Sequence, residues 1–322
     1  MAVNLTGLTA YVDQNANELI AKASLGAPSL KYFRLQTGVK GKTAINVLNT
    51  TISLGNGRAC GWNEAGVSNI SQREINPWVA KINQSFCDKA MIDYFMNSEV
   101  NIAAGRQNLP FEEQFIADVI KGVNEQVENA VWNGLTIGGV KYNGLLDILA
   151  GQGVVTATVG ATQFETVKNV YKAIPAAVLK DSAIFMGVDA YRDLVMELVE
   201  KNLYHHPAND NADTFEMVLP GTATKIIGVP GLNGTQAVVA LPLSETVYGV
   251  DMQDDKETFK FWYSDDNQEF RLAINFNGGV QVAFLDNAVI AKAEALPAED
   301  TSGDDTPSEE DTSGDDTPSE GE

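Results

Sequence analysis

LQTGVKGKTAINVLNTTISLGNGRACGWNEAGVSNISQREIN, residues 35–76, is the stretch on which the fold turns. Gly38, Gly41, Gly55, Gly57, Gly61 and Gly66 punctuate it, with threonines and β-branched residues between them. Ala44, Ile45, Val47, Leu48, Ile52 and Leu54 alternate loosely over 43–54, and Asn56-Gly57 is a strong turn signal. The pattern predicts one long two-stranded excursion with a polar, Gly-rich tip. A ribbon with so few large apolar residues builds no core of its own and needs another surface to lie on.

Helical patterns follow the ribbon. Asn76-Pro77 offers an N-cap and an N1 proline, and Trp78, Val79, Ile82, Phe86, Ala90 and Tyr94 keep a spacing that predicts a helix to about Asn97. A stronger helix is opened by Pro110, with Glu112 and Glu113 at the positive end of its dipole and Gly134 as a left-handed cap. Its stripe runs Phe111, Phe115, Val119, Val123, Val127, Val131, with Ile116 and Ile120 beside it. At about 1.5 Å per residue this helix spans roughly 35 Å, a length suited to a structural spine. Upstream, 16–25 reads as a short helix stopped by Gly26 and Pro28.

From 145 to 250 the pattern is mixed. Helices are expected at 164–179 and 190–201, and strands at 182–187, 225–229, 236–241 and 246–250, with a turn at Pro220-Gly221. Strands at 259–263 and 271–274 are expected to lead through Asn275-Phe276-Asn277-Gly278-Gly279, read as a hairpin turn, into 280–284. Residues 287–292 close the folded part.

Composition narrows the function. The 322 residues are 44% hydrophobic, enough for one or two domains. No apolar run of about eighteen residues is present to span a membrane. The N-terminus lacks the basic and apolar regions of a secretory signal, which predicts synthesis and folding in a cytoplasm. Cys60 and Cys87 make neither a disulfide framework nor a zinc pattern, and Cys87, inside a predicted helix, is expected to be a small buried side chain. EDTSGDDTPSE at 299–309 recurs unchanged at 310–320. With no apolar residue and dense like charge, this tail is expected to be solvated and extended. The ten acidic side chains of the two repeats and Glu322 account for eleven of the net −21, which leaves −10 on the body. A body of that sign is a poor binder of phosphate backbones.

Chemistry finds no foothold. His205 and His206, adjacent and followed by Pro207, do not converge on one metal and have no elbow serine to serve. Lys40-Gly41-Lys42-Thr43 matches only the end of a phosphate loop, and 134–139 lacks a dinucleotide register. Asp251, Asp254, Asp255 and Glu257, and Asp265, Asp266 and Glu269, lack calcium-loop spacing and read as solvated loops. The expectation is a non-enzyme without cofactor or metal.

The order of these features resembles the major capsid proteins of tailed phages, a fold shared with herpesvirus capsid floors and encapsulins. Glu128-Asn129-Ala130-Val131-Trp132-Asn133-Gly134 and Tyr142-Asn143-Gly144-Leu145-Leu146 look like the end of that family's spine helix and the start of its axial domain. Ala183-Ile184-Phe185-Met186-Gly187-Val188-Asp189-Ala190-Tyr191-Arg192-Asp193-Leu194 resembles the axial strand and helix. Ile227-Gly228-Val229-Pro230 is similar to its Gly-x-Pro strand, and 271–290 to its closing strands. The likeness covers roughly 30–295.

The resemblance implies an α+β fold with five parts. These are an N-terminal arm (1–34), an extended β-hairpin loop (35–76), a peripheral domain (77–144 and 256–298) with its spine helix at about 110–133, an axial α/β domain (145–255), and the acidic tail (299–322). It implies a virion shell protein assembled in a bacterial cytoplasm, self-associating into hexamers and pentamers around double-stranded DNA, with no membrane. A scaffold, a portal and a maturation protease are the implied partners. No scaffolding-like prodomain precedes the fold, and the family's Lys–Asn crosslinking triad has no match here. Lys40, Lys42, Arg58, Trp62 and Glu64 are the candidate inter-subunit contacts, and the tail is expected on the shell exterior, where packed DNA would not repel it. The rival readings are an encapsulin-like compartment shell and an enzyme with an unrecognised acidic site.

Overall fold

A computed structural model describes residues 6–55, 66–87, 111–201, 215–219, 221–251 and 259–292. Helix α1 (Thr6–Leu25) begins well before the predicted 16–25 and buries Val12, Leu19, Ile20 and Ala23. A 3-10 turn (Pro28–Lys31) leads to β1 (Arg34–Thr37), then to β2 (Thr43–Ile52) and β3 (Gly66–Ile75), which pair only with each other.

Strand β4 (Trp78–Cys87) stands where a helix was expected. Trp78, Ile82 and Phe86 are four apart, a spacing that suits one helix face and one strand face equally well. What decides is the ladder: every residue of β4 pairs with one long partner strand, from Trp78 opposite Gly278 to Cys87 opposite Glu269. Trp78, Ala80, Ile82 and Phe86 turn inward, while Val79 is 59% exposed. Cys87 is exposed at the strand end, not buried. Ala90 and Tyr94 lie outside the described residues.

Helix α2 (Phe111–Asn133) is the predicted spine, ended at Gly134. There φ is +77° and the amide donates to Ala130 O at 3.0 Å, a left-handed cap. Ile116, Ile120, Val123, Val127 and Val131 form its buried stripe. A small hairpin, β5 (Leu135–Ile137) and β6 (Val140–Tyr142), precedes α3 (Leu145–Leu149) and β7 (Val155–Thr156). Helix α4 (Gln163–Ala173) is shorter than predicted, because Pro175 drives Ile174 into extended backbone at ψ 127°. The expected strand and helix follow as β8 (Ser182–Gly187) and α5 (Val188–Glu200). Then come β9 (Glu216–Val218), β10 (Lys225–Val229), β11 (Val238–Pro242) and β12 (Thr246–Asp251). The last strands are β13 (Phe259–Ser264), β14 (Glu269–Val282) and β15 (Val289–Ala291).

Two sheets carry the body. In the first, β14 takes β12 and β13 in tandem along one edge and β4 along the other, and β1 lies parallel to β12. The second runs β7-β15-β11-β8-β10-β9. Strand β12 thus belongs to the first sheet and β15 to the second, so the division drawn along the sequence at 255 is crossed in both directions. Both faces of β8 are covered. Ile184 and Met186 meet Val167, Val170 and Leu194 of α4 and α5, while Phe185 enters the main core with Trp132 and Phe33.

The turn predicted at 275–279 does not exist; β14 runs straight through it. Its glycines serve close approach instead of chain reversal. A Cβ on Gly279 would lie 2.9 Å from Ile75 Cγ2 and 3.0 Å from Pro77 Cα, so the chain leaving the ribbon crosses the sheet at that point.

Candidate assembly surface

The ribbon is two-sided, and its sides have different fates. Register pairs Thr43 with Ile75 and Ile52 with Gly66, ten pairs in all. Its root is held by a small core of Val39, Ile75 and Val247, with Ile45 against it. The opposite face, farther out, has no such cover among the described residues. Leu48 faces Ile70 across the ladder, with exposures of 59% and 76%, and Ile52 on the same face is 79% exposed. Between and behind them are polar rungs: Ser68 Oγ donates to Thr50 Oγ1 at 3.1 Å, and Gln72 Nε2 to Asn46 Oδ1 at 2.9 Å. Leu54, past the end of β2, is fully exposed. A two-stranded ribbon showing an apolar row to water exposes surface that a partner would be expected to cover.

Of the predicted contact residues, Lys40 and Lys42 are exposed just before β2, at the root of the ribbon instead of its tip. Arg58, Trp62 and Glu64 lie outside the described residues, as does Cys60. Leu35 and its neighbours are β1 in the first sheet, so the free ribbon is shorter than 35–76.

The body beneath is tied together at one buried carboxyl that sequence reasoning missed. Glu128 is 1% exposed. Ser29 donates to it through its amide, at 3.0 Å, and through its hydroxyl, at 2.5 Å; Trp132 Nε1 donates at 3.0 Å. Burial pushes the Glu128 carboxyl above its ordinary range, opposed by these hydrogen bonds and one from the Gly231 backbone. The arm, the spine helix and the Pro230–Leu232 turn therefore meet at a single group. The rings of Phe33, Trp132 and Phe185 pack beside it with centroids 5.4–6.2 Å apart. The signal was present: Glu128 adjoins Val127 and precedes Trp132 by one turn, on the buried side of α2.

A half-open cavity of about 560 Å³ lies between α1 and α2, lined by Tyr11, Leu19, Ile116, Ile120 and Glu128 among others. Among the described residues no group of three His, Cys, Asp or Glu is placed to hold a metal, and no helix is long and apolar enough to cross a membrane. His205 and His206 lie outside the described residues.

A ribbon, a spine helix and two sheets in this order fit the α+β capsid-protein fold that the sequence resemblance implies. Solved structures bear this out. A virus-like particle from Pyrococcus furiosus matches with TM-score 0.51 at 9% identity, covering 87% of this chain and 98% of its own. A chain of the satellite phage P4 procapsid with size determination protein matches at 0.54 and 9%, covering 85% and 89%. A chain of Gordonia phage Cozz matches at 0.54 and 13%, covering 83% and 86%. No family model matches the chain, and no curated protein does. At such identities the likeness is one of fold.

Proposed function

We propose that this chain is a structural subunit, the major capsid protein of a tailed phage, whose copies close into an icosahedral shell around double-stranded DNA. One observation carries the reading: the ribbon presents Leu48, Ile52 and Ile70 to water. Laid across a neighbour, that row gains the cover it lacks on its own body, and closed symmetry repeats the same contact around each ring. The α/β portion expected at 145–255, apart from β12, points to the axis of a hexamer or pentamer, and the first sheet, β12 included, forms the periphery with α2. The role is mechanical; no catalytic step is assigned to any residue. A scaffold, a portal and a maturation protease complete the reading, in the cytoplasm of a bacterial host.

Size-exclusion chromatography with electron microscopy of the purified chain tests it. Closed megadalton shells are expected. A monomer that stays monomeric as concentration rises overturns the proposal. Shells isolated from their source filled with protein in place of nucleic acid would favour the compartment reading.

A further inference from the structure

We propose that Arg73, at the root of the ribbon, receives a carboxylate from a second copy of this chain, forming an ion pair that exists only between subunits. This deepens the assembly reading and rests on it.

Arg73 is half-buried on β3, opposite Ile45. A guanidinium has five donors, and here one terminal nitrogen donates to Gln281 Oε1 at 3.1 Å. Its Nε is closed off from solvent and has no hydrogen-bond partner. Gln281 has little more to offer: its oxygen also accepts from Val282 N at 3.1 Å, and its amide donates to Glu74 O at 2.7 Å. Among the described residues no carboxylate compensates the loss of water, and burial lowers the basicity of the group. The adjacent Glu74 is on the other face of the ribbon, opposite Ala44.

The surroundings add positive charge. Arg34 pairs with Val247, which pairs with Gln281, so Arg34 shares a sheet face with Gln281, its backbone about 10 Å away across two strand spacings. Lys42 is exposed just before β2. A cationic collar on a body of net −10 is an exception that calls for a counter-charge. Other copies supply carboxylates in excess, for example at the exposed Asp265-Asp266 turn. A phosphodiester would have to approach against that same negative body, which favours the protein carboxylate.

The test uses the full chain. In particles of the R73K variant, carbodiimide coupling is expected to join the new amine to a carboxylate of another chain, located by mass spectrometry and absent from dissociated subunits. R73Q is expected to lower particle yield at least about tenfold while leaving the urea midpoint of the subunit unchanged. Crosslinks only within one chain, none at this position, or R73Q particles at wild-type yield overturn the inference. So does normal R73Q assembly with reduced nucleic-acid content, which would assign the site to phosphate. If the wild-type chain forms no particles, the assembly reading itself falls; if it does and R73Q matches it, only this inference falls.

Discussion

Replacing Leu48, Ile52 and Ile70 together by threonine separates folding from assembly. Threonine has the β-branched shape that suits a strand and removes most of the apolar surface. In the subunit these side chains are 59%, 79% and 76% exposed, so little is lost on folding. Full burial of a leucine or isoleucine contributes about 1.5–3 kcal/mol, so covering the exposed share contributes about 1–2 kcal/mol each. The triple variant therefore forfeits about 3–6 kcal/mol per contact if a neighbour covers the row, and even the lower figure weakens association roughly 100-fold. Light scattering against concentration, with negative-stain images, reads assembly; urea unfolding of the dissociated subunit reads folding. The expected result is an unfolding midpoint close to wild type and an assembly threshold raised about two orders of magnitude. Particles forming at the wild-type threshold would show that the row never meets a neighbour and would refute the reasoning.

Two further outcomes follow from the interior. Gly279→Ala places a methyl 2.9 Å from Ile75 and 3.0 Å from backbone at Pro77, so stability should fall by about 1–3 kcal/mol; Gly41→Ala, which meets nothing within 4 Å, should leave the urea midpoint in place. For Glu128, burial raises the folded carboxyl above its ordinary 4.5, so the folded state holds the proton where the unfolded state has released it. Stability should therefore decline as pH rises from 4.5 through the raised value, and Glu128→Gln should remove that decline. Identical pH slopes for the two proteins in urea titrations at pH 5 and 8 would sink this account.

Much of the fold was legible because local signals were unambiguous. Glycine-spaced alternation announced the ribbon, and Gly134 marked the end of α2. The unbroken apolar run of β8 announced a strand buried on both faces. Three readings failed for one shared reason. Trp78, Ile82 and Phe86 fit either period until β14 was available to pair with them. Asn277-Gly278-Gly279 is turn grammar until another chain segment crosses above it. Cys87 follows β4 into the open for the same cause. Of the contact residues named from the sequence, Lys40 and Lys42 are at the ribbon root, whereas the exposed row and Arg73 emerged only from register and burial.

Sequence alone determined which segments are ribbon, spine and mixed α/β, since periodicity, turn residues and caps act within a dozen residues. Tertiary structure decided which strands share a sheet, which face of the ribbon is left bare, and which charged group has no counter-ion among the described residues. Those are properties of pairs distant in sequence, such as Arg73 with Gln281 and Ser29 with Glu128, whose meeting depends on how the whole chain closes.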